Sequence, residues 1–473
     1  MIYINRILFS LLISLIFFSC STDQQEEKKL KGPKNIIILI ADGMGYNHAL
    51  ATNYYTTGEA GSQVYEQDDW FHYGMATYNS IVSMENNDTV YTSGYSPESA
   101  WSNEDYLKND FTDSAASATA ISTGKKSYTK SIGMSVSGDT LRHISRLAKE
   151  LGKSVGVVTS VPLSHATPAG FLTHNSSRDN YEEIAQSMLF NSVADVIMGT
   201  GNPNFDDNGN TSEKDYKYVG GKEVWQQLNQ DNNKIEFNIN DSLVIVNDVN
   251  GDGNPDAWKL IQARSDFINL IDNPENRRIL GVPQVYSTLR SEREALNNEE
   301  LPFSTPINEN IPALEEMTRA AIGVLSKNPE GFFIMIEGGA IDWAAHDNRS
   351  ARMIEEHIDF NNSVNAAVKW VEQNSNWEET LIIVTSDHEC GYLTGPSHPE
   401  DFNSPVKNMG KGNMPEMKWN FDHHTNQLVP FYAKGKGAEL FEVFADEHDP
   451  VRGYYIQNSE IAQLIFLLWS KKN

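Results

Sequence analysis

Four short apolar runs, spread along most of the chain, constrain its fold more than any other feature. They are NIIILIA at 35–41, SVGVVTS at 154–160, GFFIMIE at 331–337 and TLIIVTS at 380–386. Each run is almost continuously apolar or β-branched, whereas a strand with one face in water would alternate polar and apolar residues. The four runs are therefore predicted to be parallel strands that are covered on both faces.

Helical patterns precede three of these strands. In TLRHISRLAKELGK the apolar residues recur at helical spacing, and Gly152 ends the pattern. PALEEMTRAAIGVLSKN and ARMIEEHIDFNNSVNAAVKWVEQ show the same spacing before the later strands. Alternating helices and buried strands predict an α/β fold, a three-layer α/β/α sandwich with a mostly parallel central sheet. We expect one domain over 35–473, with an inserted cap region at about 203–310, which is rich in Asn, Asp, Gly and charge.

The first residues form a short apolar run after a single basic residue. Arg6 precedes the run, which ends at Phe18 and is closely followed by Cys20. The run is too short to cross a bilayer, so residues 1–20 are predicted to be a signal peptide. The small residue before Cys20 resembles a bacterial lipoprotein signal, which implies an exported protein, periplasmic or attached to the outer membrane through lipid on Cys20. An ordinary cleaved signal is the alternative, and 21–34 is predicted to be a flexible tether.

The charge and the cysteine content narrow the function. The net charge is -27, from 64 acidic against 37 basic residues, which argues against a nucleic-acid partner because phosphate backbones attract Lys and Arg. The chain has two cysteines, Cys20 and Cys390. If Cys20 carries lipid, Cys390 has no disulfide partner, and a large core or bound metals must stabilise the exported fold.

Acidic, hydroxyl and imidazole side chains follow the predicted strands. In order they are Asp42 after the first, His165 and Thr167 after the second, Glu337 at the end of the third, and Asp387 and His388 after the fourth. The carboxyl ends of parallel strands meet at one edge of a sheet, which is where ligands bind in open α/β folds. Any one of these residues could be a helix cap or a structural histidine, but together they predict a metal site.

Two further segments supply candidate metal ligands. In EGGAIDWAAH, Asp342 and His346 are four residues apart, so they share one face of a helix and can hold one ion. FDHHTNQLVPF offers His423 and His424 before another apolar run. Either histidine could be the ligand on this pattern alone.

The stretch FTDSAASATAISTGKK contains a hydroxyl at a predicted helix start. Ser114 follows Thr112 and Asp113, and small residues continue to Gly124. The free N–H groups of a helix start can bind an anion, and the small residues allow the helix to pack closely on the sheet. Ser114 or Asp113 could instead serve as the N-cap.

Six segments, in chain order, resemble the alkaline phosphatase family: ADGMG, TDSAASATAISTGKK, HATPAGF with SSR, EGGAIDWAAH, TSDHE and HHTN. The resemblance spans about Asn35 to Lys436. It implies hydrolysis of phosphate monoesters through a phosphoserine, two zinc ions, one magnesium ion and a homodimer.

The resemblance also implies a role for each matching residue. Ser114 is the expected nucleophile and a metal ligand, and Arg178 is expected to bind phosphate. The expected zinc ligands are Asp42, Asp387 and His388 for one ion, and Asp342, His346 and His424 for the other, and the expected magnesium ligands are Asp42, Thr167 and Glu337. The family pattern of His followed by Thr favours His424 over His423.

Two positions depart from the best-known bacterial members, which have Asp at His165 and Lys at Trp343. His165 resembles the animal enzymes and some other bacterial ones, and Trp343 occurs in some bacterial relatives. We keep His165 among the candidate metal ligands and Trp343 among the candidate substrate-binding residues. The departures affect the third ion and phosphate release, not the type of reaction.

A further cation site is suggested by VNDVNGDGNPDAW. Its candidate ligands for Ca²⁺ are Asp248, Asn250, Asp252 and Asp256. Lys259 stands where a bidentate Glu would close an EF-hand, so the segment is not one. A solvated turn rich in Asp and Asn is the alternative.

Three functions remain open at this point. The first is a phosphomonoesterase. The second is a diesterase or a sulfatase of the same superfamily, although no C-x-P-x-R or S-x-P-x-R pattern surrounds Ser114. The third is a calcium-binding surface protein whose catalytic site has decayed, which the intact ligand set argues against.

Overall fold

The computed structural model describes residues 32–85, 88–92, 94–294 and 301–470. The predicted signal peptide, Cys20 and most of the predicted tether lie outside these residues. Among the described helices, none combines the length and the apolar character that crossing a membrane requires.

The strands in the first part of the chain are β1 (Asn35–Ala41), β2 (Phe71–Ala76), β3 (Ile81–Glu85), β4 (Asp88–Thr92), β5 (Ser154–Pro162), β6 (Val196–Thr200), β7 (Glu236–Ile239), β8 (Ser242–Ile245), β9 (Lys259–Ile261) and β10 (Ile279–Gly281). Those that follow are β11 (Phe332–Gly338), β12 (Thr380–Thr385), β13 (Glu389–Cys390), β14 (Leu393–Thr394), β15 (Lys418–Trp419), β16 (His424–Thr425), β17 (Val429–Gly435), β18 (Glu447–Asp449) and β19 (Gly453–Gln457).

The described α-helices up to residue 272 are α1 (Tyr46–Thr56), α2 (Pro97–Ala100), α3 (Glu104–Leu107), α4 (Ser114–Thr123), α5 (Ile144–Glu150), α6 (Ala166–Ala169), α7 (Tyr181–Phe190), α8 (Lys222–Gln230) and α9 (Arg264–Asp272). The later ones are α10 (Leu314–Leu325), α11 (Ala340–His346), α12 (Ser350–Asn374), α13 (Phe441–Phe444) and α14 (Asn458–Trp469).

One sheet of 11 strands organises the fold, in the order β18-β19-β2-β17-β12-β1-β11-β5-β6-β10-β9. The run from β12 to β9 is parallel throughout. Strand β17 is antiparallel to both β12 and β2, and β18 is antiparallel to β19. The predicted α/β sandwich with a mostly parallel sheet is confirmed.

The four strands predicted from the sequence are β1, β5, β11 and β12, and they are neighbours at the centre of the sheet. Alternate residues of β1 pack into two separate apolar clusters, with Ile36, Ile38 and Ile40 in one and Ile37 and Leu39 in the other. Each of these side chains is fully buried, and burial of an isoleucine stabilises a fold by roughly 1.5–3 kcal/mol. The sheet is buried on both of its faces, and this is why the central strands are continuously apolar.

Helices cover both faces of the sheet. The apolar residues of α4, α5, α7 and α14 belong to one cluster, and those of α10 and α12 belong to the other. Helix α14 packs against α4. The apolar segment near residue 465 is thus a docked helix, as the sequence predicted.

The region predicted as an insertion, about 203–310, contributes to the sheet as well as to its surroundings. Strands β9 and β10 extend the sheet beyond β6, while β7 and β8 form a separate two-stranded hairpin. The boundaries of a cap region, and of the single domain over 35–473, remain predictions.

Candidate active site at the carboxyl edge of the sheet

The central strands bring the predicted ligands to one edge of the sheet. Asp42 follows β1, Glu337 lies near the end of β11, and Asp387 follows β12. The three strands end at the same level of the sheet, since Ile40 of β1 is the register partner of Glu337 in β11 and of Thr385 in β12. Side chains at the ends of three adjacent strands therefore converge, as the sequence pattern predicted.

The first cluster consists of Asp42, Asp387 and His388, all of them buried. His388 Nε2 lies 3.5 Å from Asp42 Oδ1 and 3.2 Å from Asp387 Oδ2. The other Asp387 oxygen, Oδ1, accepts hydrogen bonds from the backbone N–H groups of Gly43 at 3.3 Å and His388 at 3.0 Å. These bonds fix the carboxylate so that Oδ2 faces the cluster.

The second cluster consists of Asp342 and His346 of α11 and His424 of β16. His346 Nε2 lies 3.4 Å from Asp342 Oδ2, and His424 Nε2 lies 3.5 Å from Asp342 Oδ1. The two imidazoles approach each other at 3.1 Å between their Nε2 atoms. The four-residue spacing on a helix therefore places both α11 ligands on one face, as predicted.

Backbone carbonyls orient the two imidazoles of the second cluster. His424 Nδ1 lies 2.9 Å from the carbonyl oxygen of Thr112, and His346 Nδ1 lies 2.6 Å from that of Asp422. A carbonyl can only accept, so each Nδ1 donates a hydrogen bond to it, and Nε2 is the ring nitrogen that faces the cluster. This is the ring orientation that a metal ligand requires.

The buried carboxylate of Glu337 lies beside hydroxyl oxygens. Thr159 Oγ1 donates a hydrogen bond to Glu337 Oε2. Glu337 Oε1 and Thr167 Oγ1 are both buried and make no hydrogen bond. Oxygen donors of this kind suit a hard cation such as Mg²⁺.

Ser114 is the first residue of α4, as the sequence predicted. Its Oγ is buried and lies 3.2 Å from His388 Nε2 of the first cluster. The N-cap is Asp113, whose Oδ1 accepts from the backbone N–H of Ala116 at 3.1 Å. Because Asp113 caps the helix, the Ser114 hydroxyl is left to face the ligands.

Asp113 also holds Arg178 beside the serine. Arg178 Nη1 donates to Asp113 Oδ2 at 3.1 Å, and both side chains are mostly buried. The backbone N–H of Lys130 donates to the same carboxylate at 3.1 Å. A guanidinium held in this way can present its remaining donors to two oxygens of one phosphate.

A cavity of about 330 Å³ opens onto these residues. Its lining includes Ser114, Arg178, Asp342, His346 and His424, together with His165, Glu292, Trp343 and Asp347. The ring centroids of His165 and Trp343 are 5.6 Å apart, and the ring of Tyr181 stacks on that of His165 at 6.1 Å. Burial lowers the pKa of His165 to about 3, so this imidazole is neutral at physiological pH.

Burial raises the pKa of several acids in this region. It brings the pKa of Glu337 to about 7 and that of Asp387 to about 6. Burial, and then repulsion from Asp387 and Asp342, raise the pKa of Asp42 well above its ordinary value. Asp342 differs, because the charges of His346 and His424 outweigh burial and hold its pKa low.

The residues present fit divalent cations. Buried Asp42 Oδ1, Asp387 Oδ2 and Asp342 Oδ1 make no hydrogen bond, although a buried carboxylate oxygen without a partner is costly. Repelling acids in a buried site take up protons unless cations neutralise them. Carboxylate oxygens with imidazole nitrogens are a donor set that zinc favours.

The structure leaves some candidates apart. His423 is exposed and pairs with Asp422, its neighbour in sequence. In the predicted calcium loop, Asp248 accepts from the backbone N–H groups of Gly251 and Gly253, and Asp256 from those of Val249 and Asn250. This is the hydrogen-bonding of a turn rich in Asp and Asn, and a calcium site there remains a prediction.

Four residues of the site were not assigned from the sequence. Cys390 lies against the second cluster, Thr159 supports Glu337, and Glu292 and Asp347 line the cavity. Thr159 lies one residue before the end of its predicted strand, 154–160, so its position near the strand end could have indicated a place in the site. Glu292 had no such signal, because it lies in the irregular region after β10.

A serine that faces two groups of acid and imidazole ligands, at the carboxyl edge of a parallel sheet, is typical of metal-dependent hydrolases that act on phosphate esters. A model of the alkaline phosphatase family matches residues 33–447. The chain therefore belongs to the alkaline phosphatase family, and it is a hydrolase of phosphate monoesters.

Individual relatives agree with this assignment. Alkaline phosphatase 3 of Bacillus subtilis is 28% identical over 85% of this chain and 72% of its own length. The alkaline phosphatase of Escherichia coli is 28% identical over 76% of this chain and 70% of its own. The alkaline phosphatase structure from the Antarctic bacterium TAB5 matches the fold with a TM-score of 0.60, at 24% identity over 94% of this chain and all of that one.

Proposed function

We propose that this phosphatase acts through Ser114 as the nucleophile. The serine oxygen attacks the phosphorus of a monoester, the alcohol leaves, and water then releases inorganic phosphate from the phosphoserine. The observation that supports this most is the position of Ser114. The residue is the first of helix α4, and its Oγ lies 3.2 Å from His388 Nε2. The hydroxyl also lines the cavity in which a phosphate would sit.

We further propose two zinc ions and one magnesium ion. The first cluster, with Ser114 as an added ligand, would hold one zinc ion and the second cluster the other. Asp42, Thr167 and Glu337 would hold magnesium, with His165 close by. When bound, these cations supply the positive charge that favours an ionised serine and an ionised water.

The surrounding residues would bind and orient the phosphate. Arg178 would hold two non-bridging oxygens, and Asp113 positions its guanidinium. Trp343 would form a flat wall for the alcohol group, packed against the neutral His165 ring. His165 can offer a hydrogen bond to the phosphate or to a cation's water but adds no charge.

Replacing Ser114 by alanine tests the nucleophile. We expect Ser114→Ala to lose at least about a thousandfold in kcat on p-nitrophenyl phosphate and to incorporate no label from radiolabelled substrate after rapid acid quenching. Ser137→Ala is the control, since Ser137 is exposed in a turn. Undiminished turnover in Ser114→Ala, or label on another residue, would exclude this mechanism.

A comparison of ester classes tests the substrate. We expect cleavage of p-nitrophenyl phosphate at alkaline pH to exceed that of bis-p-nitrophenyl phosphate, and chelation to abolish it. Faster cleavage of the diester would instead indicate a phosphodiesterase.

We also propose that the protein is exported, carries lipid on Cys20 and forms a homodimer. Labelled palmitate should enter the wild-type protein and not Cys20→Ser, and it would fail to enter either if the signal is an ordinary one. Light scattering of the purified enzyme measures the mass of the particle directly. A mass of one chain would exclude the dimer.

A further inference from the structure

The pairing of two short strands places a thiol beside the second cluster. Strands β13 and β16 are antiparallel, and Cys390 is the register partner of His424. Directly opposed residues of an antiparallel pair carry their side chains on the same face. The Cys390 thiol therefore lies on the face from which His424 reaches the cluster.

Distances between ligand atoms support the same grouping. Cys390 Sγ, Asp342, His346 and His424 offer one ligand atom each, and these four atoms all lie within 4.8 Å of one another. The backbone of Cys390 is fixed as well, because its N–H donates to the Gly43 carbonyl at 3.0 Å. The thiol is thus held in place.

Neither the Cys390 thiol nor Asp342 Oδ1 has a close hydrogen-bond partner. Cys390 is fully buried, and its contact with a hydrogen-bond acceptor is a long one, 3.9 Å from Sγ to the Asp342 carbonyl oxygen. Asp342 is 5% exposed, and its buried Oδ1 makes no hydrogen bond. Asp342 Oδ1 and the Cys390 thiol therefore both remain available as ligands for a cation in the second cluster.

We propose that Cys390 Sγ is a fourth protein ligand in the second cluster, for a thiophilic divalent cation such as Zn²⁺ or Cd²⁺. One oxygen, two imidazole nitrogens and one sulfur form a four-ligand set that zinc accepts, and zinc can expand to a fifth ligand, which leaves a position for water or substrate. A thiolate favours zinc or cadmium over magnesium. On binding, the S–H bond breaks, the sulfur–metal bond forms and the proton passes to solvent. This inference rests on the proposed function, which assigns a metal ion to the second cluster.

Cobalt substitution tests the sulfur ligand by a readout other than activity. We expect the Co²⁺-loaded full-length protein to show a thiolate-to-cobalt charge-transfer band in the near ultraviolet. Cys20→Ser should keep this band and Cys390→Ser should lose it, which assigns the band to one of the two cysteines of the chain. We also expect Cys390→Ser to bind Cd²⁺ at least about tenfold more weakly.

The wild-type protein provides a second measurement that does not depend on a variant folding. X-ray absorption of the zinc-loaded protein should show a zinc–sulfur distance of about 2.3 Å. Cobalt d–d bands without a charge-transfer band, or a zinc shell of nitrogen and oxygen alone, would overturn the sulfur ligand and leave the proposed function intact. A protein that takes up no cobalt or zinc at all would overturn both.

Discussion

At the scale of single residues, the one carboxylate of Asp113 makes two functional contacts. Oδ1 caps the helix that begins with Ser114, and Oδ2 accepts from Arg178. The same side chain therefore positions both the proposed nucleophile, Ser114, and the proposed phosphate ligand, Arg178. A change that keeps the cap and weakens the ion pair should separate binding from stability.

Asp113→Asn makes that separation. The amide oxygen can still cap α4, so we expect the free energy of unfolding to change by less than about 1 kcal/mol. The KM for p-nitrophenyl phosphate should rise several-fold, because Arg178 loses a charged partner. Asp179→Asn is the control, since Asp179 is largely exposed and pairs with Lys130. An unchanged KM in Asp113→Asn would show that Arg178 needs no such support.

Glu337→Gln tests the electrostatics of the metal-free protein. Glu337 has a pKa of about 7 in the fold against an ordinary value of 4.5, so in the folded state its ionisation is unfavourable. The cost begins above pH 4.5 as the unfolded chain ionises first, and it is complete above pH 7. We therefore expect the chelated variant to be more stable than the chelated wild type by up to about 3 kcal/mol at pH 8, and little different at pH 4.5.

The measurement is urea unfolding of both proteins in excess chelator at the two pH values. With Mg²⁺ present, the order at pH 8 should reverse, because the variant loses a charged oxygen ligand. Equal stabilities in chelator at pH 8 would contradict the raised pKa.

A residue could be predicted to belong to the site where it follows a strand or shares a helix face with another candidate. Asp42 and Asp387 follow continuous apolar runs, and Asp342 and His346 are spaced so that they share one face of a helix. The strand pattern and the helical spacing were therefore enough to predict these four residues as parts of the site. Cys390 and Glu292 were not predictable, because their approach to the site depends on a two-residue strand pair and on a loop. Such contacts arise from the folded chain and have no periodic pattern in the sequence.

At the scale of elements, the close approach of α4 to α6 keeps Ser114 at the edge of the sheet. A Cβ added at Gly170, directly after α6, would lie 2.8 Å from the Cβ of Ala118 in α4. Small residues on both helices therefore allow a distance that a single methyl group would prevent. This explains the run of Ala, Ser and Thr after Ser114.

Gly170→Ala should push α4 outward. We expect a loss of about 1–3 kcal/mol in the free energy of unfolding and a lower kcat, because Ser114 moves with its helix. Gly94→Ala is the matched control, since a Cβ there meets nothing within 4 Å. Chemical denaturation and steady-state kinetics measure both effects. Wild-type values for Gly170→Ala would show that the helices can separate without cost.

Element prediction succeeded for long periodic segments and failed for short ones. Strand β1 has the predicted bounds, and β5, β11 and β12 differ from prediction by one or two residues at their ends. Strands such as β13 and β16, of two residues each, are too short for any alternation to be visible. Strands β9 and β10 were hidden because the surrounding segment is polar, although both lie in the main sheet.

At the scale of the whole molecule, the buried acids link metal binding to stability. Asp42, Glu337 and Asp387 are fully or almost fully buried and come from three adjacent strands, so their repulsion acts on the centre of the sheet. Chelation should lower the melting temperature as well as abolish activity. Added zinc and magnesium should restore both, since a ligand present at a thousand times its Kd stabilises a fold by about 4 kcal/mol.

Differential scanning calorimetry with and without EDTA measures this effect. The control is the same titration on Asp342→Asn, in which the second cluster has lost its carboxylate and the response to zinc should be smaller. A melting curve that EDTA leaves unchanged would contradict the link between metal and fold.

His424 and the Thr112 carbonyl are hydrogen-bonded across 312 positions of the chain. The proposed ligands of the two clusters extend from Asp42 to His424. A polypeptide still emerging from the ribosome, or a fragment cut between these residues, therefore has no complete site. Such pieces should be inert rather than partly active. Hydrolysis of a phosphate ester therefore reports directly on a full-length, folded polypeptide. Incomplete chains at the ribosome should release no phosphate.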